Sequence, residues 1–410
     1  MVLNYIFVAF FLVSLIVALV RLIAFGDVSV FDEMVQASFS QSKNAFEIAL
    51  ALTGVLALWL GLMKIAERSG LISKLAQISS PVLSRLFPSV PKDHPALGNI
   101  FMNISANLLG LDNAATPLGI RSMESLQTIN QQKDKASDAM IMFLAINASG
   151  LTLIPSSIMA YRLQAGAANP ADIFVPVLIA TFASTLVAIL AVGVKQRIDF
   201  FQKPLLLFLL SSILFIGGVI YAGRTLPPET FSSISTAFAS ILLFGIMCGF
   251  VVSGLRARIN VYDAFIEGAK DGFGTAVTII PYLLAMLVGI GIFRASGAMD
   301  LITEGLRGLV GFWGGDMKFV EGIPTMLMKP LSGSGARGLM VDAMQTYGAD
   351  SFVGRLCSIV QGSSDTTFYV VALYYGAVKI RNTRYTVSYS LLADLAGALT
   401  AIAVTYIFFG

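Results

Sequence analysis

The sequence is poor in charge, histidine, cysteine and tryptophan. Of its 410 residues only 12% are charged, with a single His, two Cys and two Trp. An ordinary soluble domain carries roughly 25% charged residues, so this chain has too few to solvate the surface of a soluble protein. The lone His94 lies in a polar stretch with no Cys and no second His nearby, and zinc or haem sites therefore lack ligands. Cys248 and Cys357 fall in separate apolar runs, where a thiol behaves as a small hydrophobe and no disulfide framework is legible. Basic residues are scattered singly at a net charge of +3, which excludes the basic stripe of a nucleic-acid binder. Walker, G-x-S-x-G and H-E-x-x-H sequences are missing. Residues 333–338 do fit G-x-G-x-x-G, but they follow Lys-Pro inside an apolar segment instead of a parallel strand, so neither a dinucleotide cofactor nor an enzyme is expected.

Apolar sequence is what the chain has in abundance. Hydrophobic residues make up 56% and the mean hydropathy is +0.80, the composition of an integral membrane protein whose solvent is a lipid bilayer. Crossing the hydrocarbon takes about 20 apolar residues, and nine segments meet or approach that: 2–25, 46–65, 138–160, 173–194, 204–223, 236–254, 273–293, 352–378 and 387–409. The first has no basic leader and no small-residue cleavage site, so it reads as a retained helix. Two further segments, 97–120 and 323–341, are too broken by Gly, Asn, Asp, Pro and Ser to span. They read as re-entrant hairpins, tolerated at membrane depth where they are buried in protein or line a wet cavity. The expected fold is an all-α polytopic membrane protein of about nine transmembrane helices plus two re-entrant or broken hairpins.

If both hairpins turn back, 17 Lys and Arg fall in the loops of one side and 7 on the other. The positive-inside rule then makes the first side cytoplasmic, with the N-terminus in and the C-terminus out of a bacterial inner membrane. Sliding the second half back by 227 residues aligns Lys43 with Lys270, Phe46 with Phe273, Ile65 with Ile292 and Ser69-Gly70 with Ser296-Gly297; at 214, Asn147–Thr152 meets Gln361–Thr366. Residues 1–200 and 236–410 are thus expected to be two repeats, joined by a linker over 201–235. One linker helix inverts the second repeat relative to the first.

Inverted repeats with matched broken segments point to a binding site at the membrane midplane. The candidate substrate-binding residues are Asn103, Asn107, Asp112, Asn113 and Thr116 in the first hairpin, and Lys329, Ser332, Ser334 and Arg337 in the second. The broken helices add Asn147, Ser149 and Thr152, then Gln361, Ser363, Ser364, Asp365 and Thr366. Basic side chains in an apolar setting usually mark a site, a pathway or an ion pair. Arg337 can instead pair with Asp365, and Arg355 with Asp394, simply to hold helices together. Lys329 can snorkel to a surface, and the amides and hydroxyls can serve as interhelical glue.

Longer motifs carry a resemblance. Residues 58–66 (LWLGLMKIA), 94–97 (HPAL) and 110–119 (GLDNAATPLG) resemble spore maturation protein A. Residues 280–283 (IPYL), 293–299 (FRASGAM), Arg337, 354–356 (GRL), 361–367 (QGSSDTT) and 392–395 (LADL) resemble spore maturation protein B. Together they cover nearly the whole chain. Both families carry the nucleoside-recognition, or gate, domain, which is similar to part of the concentrative nucleoside transporters. The resemblance implies a link to spore core dehydration and cortex maturation, and a relative sharing the gate domain is linked to dipicolinate transport.

The resulting expectation is a secondary transporter of a small polar, anionic organic solute working by alternating access. Lys329 and Arg337 would supply positive charge. Asp112 or Asp365 would carry a coupling proton or sodium, because a carboxylate taken out of water accepts a proton more readily; no other cofactor is expected. The alternative is a non-transporting membrane scaffold in cell-envelope or spore maturation. A homodimer is the commonest symmetric assembly.

Overall fold

The computed structural model describes residues 2–109, 112–311 and 316–410. Before the linker run α1 (Val2–Phe25), α2 (Ser29–Arg68), α3 (Leu71–Leu86), α4 (Pro95–Leu108), α5 (Asp112–Ile129), α6 (Asp138–Ala148), α7 (Ser156–Gln164) and α8 (Phe174–Lys195). The helix over the expected linker is α9 (Lys203–Thr225). After it come α10 (Pro228–Arg256), α11 (Val261–Ala295), α12 (Ala298–Gly311), α13 (Ile323–Met328), α14 (Gly333–Tyr347), α15 (Phe352–Ser363), α16 (Thr367–Ala377) and α17 (Thr386–Phe409). No strand forms among the described residues. The protein is an all-α polytopic membrane protein.

Among the described residues seven helices, α1, α2, α8, α9, α10, α11 and α17, are long and apolar enough to cross a membrane. The other two expected spans are each a pair of half-helices. In the first, the chain leaves α6 at Gly150, whose φ of +63° a residue with a side chain adopts only at a cost. In the second, Ser364 is fully extended between α15 and α16. Both broken helices begin with a serine cap: Ser137 Oγ accepts from the Met140 N–H, and Ser351 Oγ from the Gly354 N–H. Two helices that the apolar-run criterion passes over are α3 and α12. Each is amphipathic, so its apolar residues recur at helical period without making a continuous run.

The long helices α2 and α11 run antiparallel along one another. Lys64 near the end of α2 reaches Glu267 near the start of α11 at 3.5 Å, while Gly291 near the end of α11 lies against Gln41 near the start of α2. Their close approach depends on Gly268 and Gly272, where a Cβ would sit 2.3 Å from the Leu60 carbonyl oxygen and 2.5 Å from the Ala57 Cα. A small-x-x-x-small spacing of this kind lets two helix backbones touch where apolar area alone gives no drive for association. Helices α8 and α17 are antiparallel too, with the Ser184 hydroxyl donating to the Ala393 carbonyl at 2.9 Å and Gln196 at the end of α8 reaching Tyr385 at the start of α17.

The broken helices form the centre. Residues Ala139–Ala148 of α6 are buried on every side, as expected for a helix surrounded by others. The connection before α6 pairs with the connection after α16: the Ala136 N–H donates to the Asn382 carbonyl, and the Arg381 and Asn382 N–H groups donate to that of Asp134. At the other end, Arg162 of α7 and the loop after it meet Ala349 and Asp350 before α15. The two broken helices therefore lie antiparallel, and their interruptions cross in the middle.

Candidate functional site

At the crossing, the Asp365 N–H donates to the Ala148 carbonyl at 2.8 Å. A Cβ at Gly150 would fall 2.5 Å from the Asp365 nitrogen, so only glycine permits this approach. Each interruption is also tied to its neighbouring hairpin. The Leu153 N–H donates to the Leu108 carbonyl at the end of α4, and the Phe368 N–H to the Pro330 carbonyl between α13 and α14. These backbone contacts satisfy groups that an unwound helix would leave orphaned in a low-dielectric interior.

A cavity of about 470 Å³ opens beside the crossing. From the first half it is lined by Asn107, Thr116, Asn147 and Thr152, and from the second by Lys329, Arg337, Gln361, Ser364 and Asp365. Trp59, Tyr161, Tyr369 and Tyr374 supply aromatic walls. Its size and its mixture of a few convergent polar groups with apolar and aromatic surface are those of a small-molecule site. Asn107 Nδ2 donates to Asn147 Oδ1 at 2.8 Å, and Asn147 Nδ2 to the Phe143 carbonyl at 2.9 Å, so the two amides have fixed orientations. Gln361 Oε1, Ser364 Oγ and Tyr161 OH find no hydrogen-bond partner among the described residues. Buried groups of this kind are ordinarily satisfied, and here three of them line one cavity. The Arg337 guanidinium lies 5.6 Å from the centre of the Tyr161 ring, within range of a cation–π contact. Two further recesses follow: one of about 260 Å³ at Tyr161, lined also by Asn44, Glu47 and Gln345, and beside it a more open one of about 640 Å³ lined by Asn44, Gln345, Gln41, Arg294 and Asp342.

The family model described as Gate, nucleoside recognition, matches residues 49–165 and 276–381, more than half of the chain. The chain belongs to the nucleoside-recognition Gate family. It is similar to spore maturation protein A of Bacillus subtilis, 46% identical over 155 residues, which is 38% of this chain and 79% of that protein. It is also similar to spore maturation protein B of the same organism, 40% identical over 182 residues, 44% of this chain and 98% of that protein.

Not every residue nominated from sequence reaches the cavity of this Gate-family chain. Asn103 is fully buried and donates to the Ala115 carbonyl at 2.7 Å, bracing α4 against α5. Ser149 donates to the Ile146 carbonyl and meets the Thr185 hydroxyl at 2.9 Å, which makes it glue between α6 and α8. Ser332 caps α14 by accepting from the Gly335 N–H, with Ser334 beside it at 3.3 Å. Ser363 closes on its own helix at the Val360 carbonyl, and the Thr366 N–H donates to Asp365 Oδ1. The side chains of Asp112 and Asn113 lie outside the described residues. His94 caps α4, its Nδ1 accepting from the Ala96 N–H at 3.2 Å.

The ion pairs also differ from expectation. Among the described residues Arg355 pairs with Asp172 at 2.8 Å and with Asp350, not with Asp394. Arg294 pairs with Asp342. Arg162 is one of the seven Lys and Arg counted to the side opposite the cytoplasmic one, but its side chain is fully buried. It bonds the Ala349 carbonyl at 2.7 Å, Asp172 at 2.9 Å and Asp350 at 3.0 Å. Counting cations per loop cannot distinguish a solvated arginine from one that turns inward onto the opposite half of the chain.

Proposed function

We propose that this Gate-family protein is a secondary transporter that moves a small polar, anionic organic solute across a bacterial inner membrane by alternating access between two inverted repeats. The observation that carries the reading is the cavity at the crossing of two antiparallel broken helices, where each half of the chain contributes polar groups to one site. In this reading residues 1–200 and 236–410 are the repeats, with α9 in the 201–235 linker, and the excess of loop cations favours an N-terminus in the cytoplasm and a C-terminus outside. Lys329 and Arg337 outnumber Asp365 among the charged groups lining the cavity, which favours an anion. The amides and aromatic walls suit a planar or ring-bearing solute, in keeping with the nucleoside recognition named in the family description. No chemistry on the solute and no bound cofactor enters this reading; the partners are the solute and the bilayer, with a second copy of the chain as the simplest assembly.

The rival is a non-transporting scaffold in envelope or spore maturation. It draws support from the interactions at both ends of the broken helices, which tie the halves together. Sidedness separates the two. Thr152→Cys, in a background with Cys248→Ser and Cys357→Ala, places a thiol on the cavity wall. In vesicles of known orientation a membrane-impermeant maleimide is expected to react with it from either face. Reaction from one face only, or from neither, favours the scaffold.

A further inference from the structure

Between the second interruption and α17 lies a group of oxygen atoms of which only Ser364 lines the cavity. Asp394 of α17 is 93% buried, its relative exposure being 7%. One carboxylate oxygen accepts from the Thr367 hydroxyl at 2.7 Å, while the other, Oδ1, has no hydrogen-bond partner among the described residues. Ser390 stands one helical turn earlier on the same face of α17; it is fully buried and its hydroxyl is equally unpartnered. Ser364, 6% exposed, is turned toward the same carboxylate. A buried carboxylate oxygen and a buried hydroxyl one turn away, both unpartnered, are an expensive arrangement unless something positive completes it. Lys329 and Asp365 are among the charged groups whose fields reach Asp394, and Arg337 lines the same cavity as both.

We propose that Asp394, Ser390, Ser364 and Thr367 hold a sodium-sized monovalent cation between the second interruption and α17. The donors are all hard oxygens, and only one is charged, which suits a monovalent ion; zinc or another transition metal favours nitrogen and sulfur. Among the described residues no three His, Cys, Asp or Glu side chains gather that could hold such a metal. Ser364 belongs to both places, lining the cavity and facing Asp394. An ion here fixes the extended residue on which the crossing depends. The site stands whether or not the cavity binds a solute.

The test is the melting temperature of the purified full-length protein with sodium chloride titrated against choline chloride at constant ionic strength, at two pH values. Anything that binds only the folded state raises the melting temperature with concentration. The expected result is a saturable rise with sodium at both pH values, abolished in Asp394→Asn and displaced to about tenfold higher sodium in Ser390→Ala. If Asp394→Asn does not fold, the Ser390→Ala titration decides. A melting temperature indifferent to sodium, or a sodium response unchanged in the variants, overturns the proposal; stabilisation by acid alone does so as well, because Asp394 then carries only a proton. Solute binding to the cavity is read separately in sodium-free buffer, so failure of either result leaves the other standing.

Discussion

Arg162→Met is expected to lower the stability of the folded protein by about 3 kcal/mol or more, read as a fall in melting temperature in detergent or bicelles. Removing one partner of a buried ion pair leaves the others charged and uncompensated, which typically costs about 3–5 kcal/mol. The Arg162 side chain is fully buried and Asp172 is 10% exposed, so water does little to relieve the loss, while Asp350 at 35% is partly solvated and contributes less. Arg355, which also reaches both aspartates, moderates the effect and places it toward the lower end of the range. Methionine keeps the volume, so the loss reports charge and hydrogen bonding and not a cavity. Arg162→Lys is expected to rescue little, because one ammonium cannot reproduce a planar fork that meets a carbonyl and two carboxylates in three directions. An unchanged melting temperature for both variants contradicts a stabilising role for this network.

Gly150→Ala is expected to cost about 3 kcal/mol. A residue with a side chain at φ of +63° carries roughly 1–2 kcal/mol of strain. The added methyl would also lie 2.5 Å from the Asp365 nitrogen, and that backbone atom can move away only by giving up its bond to the Ala148 carbonyl, worth about 1 kcal/mol net. Gly217→Ala, in the linker helix α9 with nothing within 4 Å of the new methyl, serves as the control and is expected to be neutral or slightly stabilising. Equal melting temperatures for the two variants would show that the crossing of the interruptions is not a tight contact.

The membrane class, the spans and the interruptions were legible because each leaves a mark on composition: a run of apolar residues long enough to cross, or a polar cluster such as Asn147–Thr152 or Gln361–Thr366 inside one. What stayed hidden is direction. Asn107 and Asn103 are four residues apart on α4, yet Asn107 faces the cavity while Asn103 is consumed by the Ala115 carbonyl. Ser149, Ser332 and Ser363 fit a binding pattern as well as a bonding one, since a serine that satisfies its own backbone is written with the same letter as one that waits for a ligand. Arg162 was hidden for another reason: its partners Asp172 and Asp350 sit in two different loops, and only the antiparallel crossing brings them together.

The central claim, that the cavity at the crossing binds a small anionic solute, is tested most directly by ligand-induced thermal stabilisation across a panel of nucleosides, dicarboxylates, aromatic acids and sugar phosphates. A charge-assisted hydrogen bond contributes about 1.5–3 kcal/mol, so Arg337→Ala is expected to weaken binding of the stabilising ligand by roughly tenfold to a hundredfold, with Arg337→Lys recovering part of it. A ligand that raises the melting temperature of the parent protein saturably, and does so only at much higher concentration in Arg337→Ala, is the predicted result; silence across the panel, or a ligand response indifferent to Arg337, would contradict it.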